Sequence, residues 1–114
     1  MPPRLLIVDD EESVTITMAA ILEMDGYSVA TALTGQAALE QIEHEVFDLV
    51  LTDLRLGDFD GMDVLAATRR KSPDTVGIVL TGYASLESAV TALREGAYDY
   101  MRKPDDVEEI RGTV

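Results

Sequence analysis

The stretch LLIVDDEES, Leu5 to Ser13, runs four apolar residues into four consecutive carboxylates, Asp9 to Glu12. Like charges crowded at the tip of a segment that reads as buried oppose one another's ionisation unless a positive charge sits among them. A second apolar run ends in Asp53, a third in Thr81 followed by Gly82, and a fourth leads into Lys103 and Pro104. Carboxylates gathered a few ångströms apart select a hard cation such as Mg²⁺ or Mn²⁺. A metal so held neutralises charge developing on phosphoryl oxygens, and a carboxylate can itself be the nucleophile, giving an aspartyl-phosphate. Asp53 is the candidate nucleophile, because it ends the central apolar run beside a glycine-containing loop. Lys103 would pair with the phosphoryl oxygens, Thr81 would donate a hydrogen bond, and Gly82 would leave room for the incoming group. Each residue also has a plainer reading. Asp53 could cap a turn, Thr81 could be a loop residue, and Lys103 a solvated strand exit. It is their joint occurrence at run ends that favours chemistry.

These residues need elements that carry them to one place. Short β-rich runs recur over Leu5–Val8, Tyr27–Thr31, Asp48–Thr52, Gly77–Thr81 and Tyr98–Arg102, and several are continuously apolar, as in strands covered on both faces. Helical spacing separates them: Val14, Met18, Ile21 and Leu22 in the first interval, Leu86, Ala89, Val90 and Leu93 in the fourth. Two more helices are expected over Thr34–Glu43 and Asp60–Lys71. Asp60 and Ser85 read as N-caps, Gly26 and Gly96 as C-terminal glycines, and Ser72-Pro73-Asp74 as the stop of the third helix. Alternating strands and helices predict an α/β fold, a parallel sheet with helices on both faces. In such a sheet chemistry collects beyond the carboxyl ends of the strands, where Asp9, Asp10, Asp53, Thr81 and Lys103 all fall.

The 114 residues suffice for one core, and the 46% hydrophobic and 27% charged content is that of an ordinary globule. A net charge of −13, from 9 basic and 22 acidic residues, repels nucleic acid, so direct binding to it by this domain is not expected. No apolar run approaches the roughly 20 residues of a membrane span, and no signal-peptide core follows Met1-Pro2-Pro3-Arg4. The expected location is the cytoplasm, with which the lack of cysteine agrees. The sole histidine, His44, reads as a surface residue, so no imidazole or thiolate cluster competes for a metal. Tyr27, Tyr98, Phe47 and the methionines read as packing or partly exposed positions.

The motifs LLIVDDEES, DLVLTDLRLGDFDG, IVLTGYAS and GAYDYMRKP, in that order, resemble the receiver domain of two-component response regulators over Arg4 to about Glu109. The resemblance implies one receiver domain across residues 1–114 with a curtailed last helix, and a flavodoxin-like (βα)5 three-layer sandwich whose five-stranded sheet has the order 2-1-3-4-5. It implies Asp53 as phosphoacceptor, loaded from the phosphohistidine of a sensor histidine kinase. Asp10 and Asp53 would ligate Mg²⁺ by side chain, Arg55 by its backbone carbonyl, and Asp9 largely through water. Thr81 and Tyr100 would form the switch, Lys103 would contact the phosphate, and the peptide before Pro104 would be cis. Output would pass through the face of the fourth helix, fifth strand and fifth helix to an output domain, a protein partner or a second copy in a phosphorylation-dependent homodimer. GAYDY is similar to receivers joined to transcriptional activators, so the expected role is transcription regulation. By the same analogy Arg55 and Tyr83 would tune dephosphorylation. The chain departs from the family where Leu56-Gly57 replaces the usual Met-Pro, which predicts a looser loop over the metal.

Three alternatives stand beside this reading. Haloacid-dehalogenase-type phosphatases use a similar residue set but need a second Asp two residues past the nucleophile, where this chain has Arg55. Calcium binding at Asp58-Phe59-Asp60-Gly61 would lack two EF-hand ligands, since Leu56 and Ala67 stand at the first and twelfth positions. A metal-binding pseudo-receiver would not require Asp53, Thr81 and Lys103 together.

Overall fold

A computed structural model describes residues 2–54, 56–58, 60–81, 94 and 97–102. Its elements run β1 (Arg4–Val8), α1 (Glu12–Met24), β2 (Ser28–Ala32), α2 (Gly35–His44), β3 (Leu49–Thr52), α3 (Gly61–Lys71), β4 (Val76–Thr81) and β5 (Ala97–Arg102). All strand pairings are parallel, and the sheet order is β2-β1-β3-β4-β5, as the resemblance implied. Each strand starts within one residue of its sequence-based bound. The expected fourth helix, Ser85, Gly96 and the last helix lie outside the described residues, apart from Arg94.

Burial explains the continuous apolar runs. From β1, Leu5 and Ile7 join Leu49, Leu51 and Ile78 on one face of the sheet, against Met18 and Leu22 of α1. The alternate residues Leu6 and Val8 pack with Val50 on the other face, against Ala38 and Ile42 of α2 and Val64 of α3. A strand with period-two geometry must be apolar at every position when both faces are covered. Each fully buried aliphatic side chain contributes roughly 1.5–3 kcal/mol, so the β1–β3 pair is the centre of the hydrophobic core.

Helix ends are fixed by local chemistry. The Asp25 cap of α1 is followed by Gly26 at φ +96°, a left-handed position that suits glycine. The N–H groups of Gly26 and Tyr27 donate to the carbonyls of Glu23 and Leu22 at 3.1 and 3.2 Å, which closes the helix and sends the chain into β2. Thr34 caps α2 by accepting from the Ala37 N–H, and Asp60 caps α3 by accepting from the Met62 N–H at 2.9 Å. Ser72 ends α3, its N–H bonded to the Thr68 carbonyl.

The amino edge of the sheet is closed by Arg4. Its N–H donates to Asp48 Oδ2 at 2.7 Å, and its guanidinium bonds Glu45 and Ser28 Oγ while lying 5.7 Å from the centroid of the Phe47 ring. The hydrogen bond from Arg4 holds the Glu45 carboxyl below the usual carboxylate range. These interactions lie at the strand starts, so the carboxyl edge is left for the acidic residues. Among the described residues, no helix is long and apolar enough to cross a membrane.

Candidate functional site

The sheet order reverses between β1 and β3: the chain leaves β1 for β2 on one side and returns to β3 on the other. Such a reversal opens a crevice beyond the carboxyl ends of the two strands. Asp9 and Asp10 follow β1 directly, and Asp53 follows β3. The Asp9 N–H donates to the Ala32 carbonyl at 3.1 Å and the Asp53 N–H to the Val8 carbonyl at 2.8 Å, so the ladder continues one residue past each central strand. That extension sets both carboxylates at one rim.

Ligand oxygens of Asp9, Asp10 and Asp53 all lie within 4.8 Å of one another. Asp9 is 2% exposed and Asp53 4%, whereas Asp10 faces solvent. Burying a carboxylate costs several kcal/mol even after relaxation, more than one buried leucine returns. Two such groups beside a third concentrate negative charge at one rim. Their all-oxygen donor set fits a hard divalent cation, which offsets like charge where apolar packing cannot.

Backbone groups orient the two buried carboxylates. Asp9 Oδ1 accepts from the Glu11 N–H at 2.9 Å, and Asp53 Oδ1 from the Leu54 N–H at 2.7 Å. Thr52, fully buried, donates its hydroxyl to the Asp53 carbonyl at 2.9 Å. The four-carboxylate run of the sequence divides here: Asp9 and Asp10 enter the cluster, while exposed Glu11 and Glu12 begin α1, with Glu12 in the first turn where the helix dipole favours it.

The backbone of Thr81 ends β4 next to β3 and pairs with Arg102, the last residue of β5. Tyr100 lies on β5 opposite Val79. Arg55, Gly82, Tyr83, Lys103 and Pro104 lie outside the described residues. The carboxylate triad is therefore assembled as expected, and the sequence neighbours of Lys103 run along the same sheet toward the same edge.

A family model described as a response regulator receiver domain matches residues 5–114. The chain belongs to that family. The receiver domain is 41% identical over 110 residues to the transcriptional regulatory protein ZraR of Escherichia coli (strain K12), covering 96% of this chain and 25% of that protein. It thus spans about a quarter of the length of the curated relatives it matches. Its flavodoxin-like receiver fold is similar to that of a CheY-like receiver domain protein from Methanospirillum hungatei JF-1, with a TM-score of 0.96 and 37% identity over 99% of this chain and 90% of that one. It is also similar to a response regulator protein from Burkholderia pseudomallei that carries a phosphorylated aspartic acid, a calcium ion and citrate. There the TM-score is 0.91 and the identity 38%, over 96% of this chain and 65% of that one.

Two residues of the receiver domain have roles that sequence reasoning did not assign. Gly61 opens α3 directly against the site: its N–H donates to the Leu54 carbonyl at 2.7 Å, and a Cβ there would stand 2.2 Å from the Asp53 carbonyl oxygen. Its signal was present, since a glycine stands directly after the Asp60 cap. Asp58, which the sequence offered only as part of a weak calcium motif, accepts from the Gly35 and Gln36 N–H groups at 2.9 and 3.0 Å and so caps α2 from 23 and 22 residues away. The loosening expected from Leu56-Gly57 is countered in the same segment. Leu56 is 3% exposed and packs with Val8, Ala38 and Ile42, and Gly57, at φ +84°, supplies a left-handed turn that proline cannot adopt.

Proposed function

We propose that this receiver domain is a phosphorylation-dependent switch that accepts on Asp53 a phosphoryl group from the phosphohistidine of a sensor histidine kinase. The observation that carries this reading is the convergence of Asp9, Asp10 and Asp53 at the β1–β3 crevice. An Asp53 carboxylate oxygen bonds to phosphorus as the bond from phosphorus to the donor imidazole nitrogen breaks, and the imidazole leaves with that electron pair. Asp9, Asp10, Asp53 and the Arg55 carbonyl would hold Mg²⁺, which when bound would supply positive charge to offset the phosphoryl oxygens.

The remaining work falls to the chain itself. The Leu54 N–H fixes the rotation of the Asp53 carboxylate. Lys103 pairs with the phosphoryl oxygens, and the Thr81 hydroxyl donates to them. Movement of Thr81 toward the phosphoryl group opens space for Tyr100 to turn inward, which reshapes the face of the fourth helix, fifth strand and fifth helix. Such a switch works when its two arrangements differ by only a few kcal/mol, so that new contacts to the phosphoryl group shift the population. The chemistry is confined to the protein's own side chain. The reshaped face then acts on an output domain, a protein partner or a second copy, in the cytoplasm and in transcription regulation, with nucleic acid bound elsewhere than on this acidic domain.

Incubation with acetyl phosphate and Mg²⁺ should add one phosphoryl group to the intact mass, and EDTA should prevent it. No mass change with Mg²⁺ present would reject the reading. Thr81→Ala is expected to label at a rate within a few-fold of the unsubstituted protein while losing the phosphorylation-induced shifts of β5 amide resonances. Unchanged β5 shifts in that variant would remove Thr81 from the relay.

A further inference from the structure

The segment between Asp53 and α3 is held at three places. Leu54 and Leu56 are both buried, and the Gly61 N–H closes the segment on the Leu54 carbonyl at 2.7 Å. The third hold reaches across to another element: the two carboxylate oxygens of Asp58 accept from successive N–H groups, those of Gly35 and Gln36, in the first turn of α2. The next N–H of that turn, on Ala37, is met by Thr34 Oγ at 3.0 Å. Two independent acceptors thus satisfy one helix end, and only Asp58 belongs to the loop beside the acidic cluster.

We propose that Asp58 is a positioning residue for the metal site, tethering the loop that follows Leu54 to α2 so that the Asp53 side chain, oriented by the Leu54 N–H, is held ready for a divalent ion. The inference rests on the phosphoryl-acceptor reading above. Gly57 carries no ring to restrict φ, so the rigidity that Met-Pro would give this segment is supplied by a bidentate carboxylate cap, each bond being charge-assisted and aligned with the positive end of the α2 dipole. Groups that orient metal ligands from behind typically alter affinity by about 10–100-fold when removed.

The test compares Asp58→Ala, Asp58→Asn and Thr34→Ala in the full chain. Two quantities are measured: Mg²⁺ affinity by calorimetric titration, and exchange of the Gly61 amide in the metal-free protein by NMR. Asp58→Ala should weaken Mg²⁺ binding about tenfold and speed Gly61 exchange. Asp58→Asn, which keeps an acceptor oxygen, should restore most of both. Thr34→Ala damages the same helix end without touching the loop, so it should lower the unfolding midpoint yet leave Mg²⁺ affinity within about twofold. Unchanged Gly61 exchange in Asp58→Ala, unchanged Mg²⁺ affinity, or an equal loss of affinity in Thr34→Ala would each overturn the tether. A wild-type protein that binds no Mg²⁺ would instead sink the acceptor reading, and Gly61 exchange would still decide whether Asp58 restrains the loop.

Discussion

Asp53→Asn is expected to abolish labelling by acetyl phosphate with Mg²⁺ and to leave the domain folded. The carboxamide keeps the shape of the side chain and an oxygen able to accept from the Leu54 N–H, now 2.7 Å from Oδ1. It lacks the negative charge that attacks phosphorus, so loss of labelling should be complete rather than partial. Stability should move the other way. Two unit charges 4.8 Å apart, the outer limit within the cluster, repel by about 3.5 kcal/mol at an effective dielectric of ~20. Asp10 is exposed, so screening reduces the net relief to on the order of 1 kcal/mol. Without divalent ion the variant should therefore unfold at a higher urea midpoint than the parent. Retained labelling would displace Asp53 as acceptor; a lower midpoint would refute the charge-crowding argument.

Gly61→Ala is expected to be the most damaging small substitution in the site. An added Cβ would lie 2.2 Å from the Asp53 carbonyl oxygen, 2.9 Å from Leu54 Cα and 3.0 Å from the Asp53 carbonyl carbon. All three are backbone atoms, and the bond from the Gly61 N–H to the Leu54 carbonyl prevents the helix from sliding away. Alanine gains up to about 1 kcal/mol over glycine in helix propensity, but forced overpacking costs about 3 kcal/mol when backbone must move. The clash decides the sign. Urea denaturation should show the loss, and the folded fraction should label poorly because Asp53 is displaced. Gly77→Ala provides the contrast: among the described residues its Cβ would meet Leu65 Cδ2 alone, at 2.7 Å, the far end of a flexible side chain, so about 1 kcal/mol or less is expected. Equal losses at the two positions would contradict this account of Gly61.

The sheet was legible because its central strands carry continuous apolar runs, a pattern that burial on both faces favours, and residues 5–8 and 49–51 are covered in that way. Strand starts shifted by one residue for identifiable reasons. Tyr27 reads as strand-forming, but its N–H finishes the α1 cap, so β2 begins at Ser28. Asp48 is occupied in bonding Arg4, and β3 begins at Leu49. The acidic triad was legible because Asp9, Asp10 and Asp53 each follow such a strand. Asp58 was not. Its partners are 22 and 23 residues away, and no local spacing rule connects a loop carboxylate to the N–H groups of a helix that precedes it. The same limit applied to Leu56, whose burial depends on the side chains of α2 rather than on its neighbours in sequence.

The most direct test of the central claim is a crystal of the protein soaked in Mn²⁺ and measured at the manganese absorption edge. The account predicts one strong anomalous peak among the carboxylates of Asp9, Asp10 and Asp53. A peak at Asp58 and Asp60 instead, or none at the triad with the ion in excess, would contradict it.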